Sequence, residues 1–325
     1  MKAIIQDEYG APIDVLRFTD VEIPALSDDN VLVRVHASSA NPWDWHYIRG
    51  EPLLMRPALG GVRKPKFLIA GGDVAGIVEQ VGKSVVAFAP GDAVYGFAHG
   101  AFAEFVAVPQ TGLARKPENL NFEEAAAVPL GAVTALQVLR GGNLESGQRL
   151  MIIGASGGVG CFAVQIAKHI GAEVTGVCST ANTELVERLG ADHVIDYATQ
   201  QIFAGPTRYD MVLQLGGTYG PGAIRKVLTP QGTLIQSYGD GNRWLGPLGS
   251  ILKAVVVDRF VGQTLKSVTA TVTTESLDEV TALIEGGHIR PVIDRGFLLP
   301  NAAQAVALVE DGNPAGKVTV TVASD

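Results

Sequence analysis

The chain has 325 residues, 47% of them hydrophobic, and a formal charge of −8. That length exceeds what one compact core holds, so two domains are expected, and the acidic balance excludes a basic face for nucleic acid as the main contact. The two cysteines lack C-x-x-C spacing and read as inert core thiols, no run nears the roughly 20 apolar residues of a membrane span, and the start MKAIIQDEYG has no leader-like apolar core, so a cytoplasmic soluble protein is expected.

Residues 1 to about 109 read as mainly β. Short strands are predicted at 3–5, 31–37, 74–81, 93–97 and 101–108, punctuated by Gly and Pro, as in a small barrel-like domain. Residues 48–72 carry three prolines and scattered bases. That stretch is too irregular for an element and is a candidate substrate-facing loop. Asn121 and Glu124 form a capping-box pair for a short helix at 122–126. Pro129 breaks it, and a further helix is predicted at 131–139.

From Arg149 the period changes to strand–helix alternation. Residues 150–153 form an apolar run suited to a strand buried on both faces. Gly154, Gly157 and Gly160 follow, and then a helix at 161–168. Strand, glycine turn and helix in that order bring backbone N–H groups and a positive helix end to a diphosphate. Further strands are predicted at 173–178, 193–195, 210–215, 233–237 and 260–265, with helices at 183–189, 222–228, 248–257 and 277–284. Strand, helix and strand at 292–299, 302–309 and 318–322 return to the β domain. The fold class is α/β, a doubly wound parallel sheet inserted into a split β domain.

The motifs SSANPWDWHYIRG, GGDVAGIVEQVG, PGDAVYG, GAFAEFVAVP, AAAVPLGAVTAL, GASGGVG, LGADHVIDY and the closing GKVTVTV stand in one order along the chain. In these the sequence resembles the zinc-free medium-chain dehydrogenase/reductases, the quinone oxidoreductase and zeta-crystallin-like branch. The resemblance covers essentially the whole length. It implies a GroES-like domain of residues 1–125 and 288–325 and an NAD(P)-binding Rossmann domain of residues 126–287. It also implies a homodimer paired through an edge strand near 260–265.

No zinc is expected. Where zinc-dependent relatives carry their three ligands, this chain has Asn41, Gly72 and about Leu130, none of which suits the metal, and the four-cysteine lobe is missing. The cofactor expected is NADPH, with NADH possible. The turn residues Gly154, Ser156, Gly157, Gly158, Val159 and Gly160 would hold the diphosphate. The second strand ends in Ser179, Thr180, Ala181 and Asn182 without the carboxylate that selects NAD. That leaves Ser179, Thr180 and Asn182 as donors to a 2′-phosphate, without a basic clamp. Ser179 and Thr180 also fit a helix N-cap. Tyr197 would lie against the adenine ribose. The resemblance places Thr134 near the nicotinamide, and Gly216, Gly217, Ser237, Tyr238 and Gly239 along its ribose. Lys317 would reach cofactor or substrate, a solvated lysine being the equal alternative.

Hydride transfer without a Lewis acid favours a substrate that delocalises its own developing charge, such as a quinone or an α,β-unsaturated carbonyl. Asn41 and Tyr47 are candidate hydrogen-bond donors to that oxygen, and Asp44 a loop-fixing group. An Asx turn around Pro42 explains Asn41 and Asp44 equally well. Trp43, Met55, Leu59, Trp244 and Leu245 are candidates for an apolar substrate wall, with plain core packing the alternative. Two rival functions are a metal-dependent alcohol dehydrogenase for simple alcohols and a cofactor-binding regulatory or RNA-binding protein without turnover.

Overall fold

The computed structural model describes residues 1–59, 61–237, 262–312 and 314–322, with Met55, Ala58 and Leu59 described by backbone alone. The chain divides into two compact units. One holds Met1–Val133, Thr271–Gly287 and Pro291–Asp325; the other holds Thr134–Ala270 and His288–Arg290.

The first unit is built on one long strand, Asn30–Ala40 (β3). It runs past the predicted 31–37 because Ala37, Ser38, Ser39 and Ala40 are small and buried on both faces. It pairs antiparallel with Asp73–Val81 (β4), with Phe105–Pro109 (β6) and with Lys317–Thr321 (β15). Around these, the sheet continues through Ala93–Phe97 (β5) to Leu113–Arg115 (β7) on one side and Ile293–Leu298 (β14) on the other. Val31, Val33 and Val35 meet Val74, Val78 and Val94 in one core cluster. Each such fully buried side chain contributes about 1.5–3 kcal/mol. Lys2–Ile5 (β1) and Arg17–Asp20 (β2) form a separate ribbon around the short helix Pro12–Val15 (α1).

Among the helical segments of this unit absent from the sequence reading, three lie close in sequence to the candidate residues of 41–59. Pro42–Arg49 (α2) follows β3 directly, with Pro42 at its first position, where a missing N–H costs nothing. Within the proline-rich stretch, a 3-10 turn at Leu53–Met55 and a short helix at Arg56–Leu59 (α3) replace the expected irregular loop. Pro129 opens the helix Pro129–Gly141 (α5) rather than preceding it, two residues beyond Phe122–Ala126 (α4) and its Asn121–Glu124 capping box. Helix Thr274–Glu285 (α9) is bonded into the first unit. Tyr95 O–H donates to the Leu277 carbonyl at 2.8 Å, and Thr274 Oγ1 donates to that of Leu113 at 2.8 Å. Ala302–Glu310 (α10) packs Ala302, Ala305 and Val306 into a cluster with Ile4, Ile48 and Phe102.

The second unit is a wholly parallel sheet among the described residues. Its strands are Arg149–Ile153 (β8), Glu173–Cys178 (β9), His193–Asp196 (β10), Tyr209–Gln214 (β11), Leu228–Gln236 (β12) and Thr264–Ser267 (β13). They lie in the order β10-β9-β8-β11-β12-β13. Between β8 and β9 runs Gly160–Ile170 (α6), which buries Phe162, Val164 and Ile166 and closes on Gly171 in the left-handed region. Thr183–Arg188 (α7) joins β9 to β10. The helix predicted at 222–228 is only Pro221–Ile224 (α8) and a 3-10 turn, because Leu228 already pairs with Tyr209 as the start of β12. The edge strand falls at 264–267 rather than 260–265. The helix expected at 248–257 lies outside the described residues.

Candidate active site

The strand order reverses at β8, which has β9 on one side and β11 on the other. In an open parallel sheet the crevice beyond the strand ends at such a point takes the ligand. Gly154 ends β8 there, and the turn closes with Gly157 N–H on the Gly154 carbonyl at 3.2 Å and Cys161 N–H on that of Gly157 at 2.9 Å. A Cβ on Gly160 would run into that same Gly154 carbonyl, so only glycine lets helix α6 start so close to the turn. The Cys161 amide is taken by Gly157, but the Gly160 amide at the start of α6 has no carbonyl within the helix to accept it, and with Ser156, Gly158 and Val159 it would cradle an anion. These residues fit a dinucleotide diphosphate.

Several of the remaining cofactor candidates of this unit directly follow strands of the same sheet. Thr134 is buried near the start of the unit. Ser179, Thr180 and Asn182 follow β9, with Thr180–Asn182 in a 3-10 turn, and the Asn182 amide donates to Ser156 Oγ at 3.1 Å. Tyr197 follows β10, is 53% exposed, and donates its N–H to the Cys178 carbonyl. Gly216 and Gly217 follow β11, where Gln214 Nε2 donates to the Gly217 carbonyl at 3.0 Å. Ser237 follows β12 and donates its N–H to the Gln214 carbonyl. Tyr238, Gly239, Trp244 and Leu245 lie outside the described residues. Cys161 and Cys178 are both buried, and burial pushes their thiols up to about 12 and about 11, so neither is a nucleophile at neutral pH.

In the first unit Asn41, Asp73 and Lys317 form a buried cluster. The Asp73 and Lys317 side chains are 0% and 3% exposed, with Lys317 Nζ 3.1 Å from Asp73 Oδ2. The same ammonium donates to Asn41 Oδ1. Asn41 Nδ2 donates to Asp73 Oδ2 at 2.9 Å, Ser39 Oγ donates to that oxygen at 2.8 Å, and Leu130 N–H donates to Asp73 Oδ1 at 2.9 Å. Lys317 is therefore not the solvated lysine of the alternative reading: it is buried and bonded to Asp73 and Asn41. Buried, it minimises the cost of its charge by pairing with a carboxylate. Asp73 and Ser39 were not singled out by the sequence reading, although Asp73 closes the GGD triplet that replaces a ligand-bearing motif.

The same cluster tests whether a zinc ion fits. Asn41 Oδ1 and Asp73 Oδ2, the oxygens a metal would need, already accept from an ammonium. Gly72 offers no donor side chain, and a Cβ there would meet the Phe97 ring; at Leu130 only the backbone N–H joins the cluster. The donor set does not fit zinc.

Helix α2 carries the other candidates. Asn41 N–H donates to Asp44 Oδ2 at 2.7 Å across the helix start, so the pair caps a helix rather than forming an isolated Asx turn. Asp44 is fully enclosed, its Oδ1 has no partner among the described residues, and burial pushes its carboxyl up to about 7. Tyr47 is buried, and its phenol oxygen accepts from Phe67 N–H at 2.8 Å. Burial raises its pKa, so it stays a protonated donor at neutral pH. Trp43 stacks on Tyr47 with ring centroids 5.3 Å apart, and His99 stacks face to face on Phe67 at 3.8 Å. Burial, then the charge of Lys66, holds the His99 imidazole below its usual value. Trp43, Asp44, Tyr47, Phe67 and His99 line a small pocket of roughly 10 Å³, close to the room one water needs. Phe67 and His99 are additions to the predicted wall. Met55 and Leu59 lie on the nearby chain, with their side chains outside the description.

Comparison with known proteins agrees with this architecture. The alcohol dehydrogenase GroES-like domain family matches residues 27–118, and the zinc-binding dehydrogenase family matches residues 189–320. The chain is 32% identical to the 2-methylene-furan-3-one reductase of Solanum lycopersicum, over 98% of this chain and 79% of that one. It is 31% identical to the chloroplastic NADPH-dependent alkenal/one oxidoreductase of Arabidopsis thaliana, with the same shares covered. The solved quinone oxidoreductase of Coxiella burnetii superposes with a TM-score of 0.85 at 28% identity, over 99% of both chains. A split, mainly antiparallel unit, a parallel sheet with a glycine turn at its switch point, and full-length similarity to such reductases lead to one statement: the chain belongs to the medium-chain dehydrogenase/reductase superfamily, in its quinone oxidoreductase branch.

Proposed function

We propose that this protein is a zinc-independent NADPH-dependent oxidoreductase that reduces quinones or α,β-unsaturated carbonyls. The observation that carries the reading is the Lys317–Asp73–Asn41 cluster, which puts an ammonium among the oxygens that a metal would require. Similarity to reductases of alkenals, furanones and quinones supports the substrate class. NADPH, when bound, supplies the hydride. The cradle at Gly154, Ser156, Gly158 and Gly160 would hold its diphosphate, and Gly216, Gly217 and Ser237 would run along its nicotinamide half.

What the chain itself does follows from its donors. After hydride addition the electron-rich oxygen of an enolate or hydroquinone anion needs a donor but no metal, because the conjugated system spreads the charge. The Tyr47 O–H is that donor. Its oxygen already accepts from Phe67 N–H, which polarises the O–H bond and makes the proton easier to give. Asn41 acts by position: both ends of its amide are engaged by Lys317 and Asp73, and it fixes the start of α2 on which Trp43, Asp44 and Tyr47 ride. The aromatic rings of Trp43, Phe67 and His99 suit a flat, conjugated substrate. A homodimer paired through β13 and a cytoplasmic site of action belong to the same proposal, and the first is tested by sedimentation.

The test is NADPH oxidation by the purified protein across quinones, enones and simple aldehydes, before and after dialysis against a chelator. Turnover of the conjugated acceptors that survives chelation is expected. No oxidation with any acceptor, or activity lost to the chelator and restored by zinc, would overturn the proposal.

A further inference from the structure

The loop after β9 has no carboxylate of its own, and for that reason NADPH is the favoured cofactor. The structure delivers a carboxylate to that loop from the neighbouring strand. β10 pairs with β9 in parallel, and the register sets Asp196 opposite Cys178, the last residue of β9. In this fold the ground just beyond that second strand meets the ribose that distinguishes NADPH from NADH.

The contacts there are specific. Thr180 Oγ1 donates to Asp196 Oδ2 at 2.7 Å, Thr199 Oγ1 donates to the same oxygen at 3.0 Å, and Ala198 N–H donates to Oδ1 at 2.9 Å. Among the described residues no Lys or Arg forms an ion pair with this carboxylate. The hydrogen bond from Thr180, then those from Ala198 and Thr199, hold the Asp196 carboxyl below its usual value, so it is ionised at neutral pH. Its field reaches β9: after burial, Asp196 and then Glu187 push the Cys178 thiol up. A threonine hydroxyl has a single proton, and here that proton points at Asp196. Asn182 spends a donor on Ser156 Oγ. Of the three groups that would greet a 2′-phosphate, Thr180 has thus committed its only proton and Asn182 one of its two amide protons, and an anion stands beside Thr180.

We propose that Asp196 is a specificity-determining residue that holds NADPH discrimination down, by drawing the Thr180 proton away from the 2′-phosphate and setting a like charge next to it. The residue does from the third strand what an acid at the end of the second strand does in NAD-selective versions of the fold. A free ribose 2′-hydroxyl meets no repulsion there, so NADH binds nearly as well as NADPH. The inference rests on the reading that this unit binds a nicotinamide dinucleotide.

The experiment measures binding alone, by fluorescence titration of the full chain with NADPH and NADH, and with 2′,5′-ADP and 5′-AMP as fragments that differ in the same phosphate. The wild type is expected to separate NADPH from NADH by less than roughly tenfold. D196N, isosteric and still able to accept from Thr180, is expected to raise that ratio by roughly another tenfold at low salt, with a smaller gain at high salt. D196S removes the charge by a different side chain and is expected to move the ratio the same way, so misfolding of one variant does not decide the outcome. A ratio unchanged within about twofold in the variant that folds overturns the assignment while leaving the proposed reductase standing. If the wild type binds neither dinucleotide, the functional reading and this inference fall together.

Discussion

Replacing Lys317 with methionine keeps an unbranched apolar stem as far as Cε and removes the ammonium. The ammonium is 3% exposed and 3.1 Å from a carboxylate that is 0% exposed, so water cannot take its place. Taking one partner from such a pair costs about 3–5 kcal/mol, mainly through the charge left behind. Asp73 keeps Ser39 Oγ, Asn41 Nδ2 and the Leu130 N–H as neutral donors, which places the expected loss near the lower end, about 3 kcal/mol. If the loss comes from the stranded charge, neutralising it as well must restore stability. K317M/D73N is therefore expected to recover at least half, about 1.5 kcal/mol, over the single variant. The assay is urea unfolding at neutral pH without nucleotide, followed by tryptophan fluorescence. A single variant within about 1 kcal/mol of wild type, or a double variant no more stable than the single, would refute the reasoning.

Asp44 gives a pH prediction. Its folded pKa, about 7, lies above its unfolded value, so its favourable contribution is complete below the unfolded carboxylate range and is lost as pH rises through about 7. D44N removes this dependence, and its stability relative to wild type is expected to rise by about 1–3 kcal/mol between pH 5 and pH 8 in urea titrations; an unchanged gap would count against a protonated Asp44. Y47F loses the proton donor and the acceptor for Phe67 N–H, so kcat with an enone is expected to fall about 10–100-fold with NADPH affinity intact. Steady-state kinetics beside a binding titration separate the two quantities. G160A pushes a methyl group into the Gly154 carbonyl and is expected to weaken NADPH binding at least about tenfold, read by the same titration.

The glycine turn and its strand and helix were legible because each is local: an apolar run, three spaced glycines and a 3.6-residue period sit within twenty residues. The capping of α4 by Asn121 was legible for the same reason. The Asp73–Lys317 pair was not, since the partners are 244 residues apart and each alone reads as a surface charge. Asp196 hid likewise, because its meaning comes from the β9–β10 register rather than from its own neighbours in sequence. At 222–228 the predicted helix ended early, in a 3-10 turn, since pairing of Leu228 with Tyr209 outweighs local preference at its last residue. His99 looked like one of several scattered histidines, and only its stack on Phe67 puts it beside Tyr47.

β15 lies against β3 in the finished sheet, joining residues 317–321 to residues 37–40. During synthesis β3 emerges long before β15, and that edge stays bare until β15 follows. The Lys317 ammonium travels on that later strand, so the acid at Asp73 waits for a counter-ion 244 residues further on. Completion of the first unit and neutralisation of its most enclosed carboxylate are thereby one event, and a chain that stops short of residue 317 achieves neither.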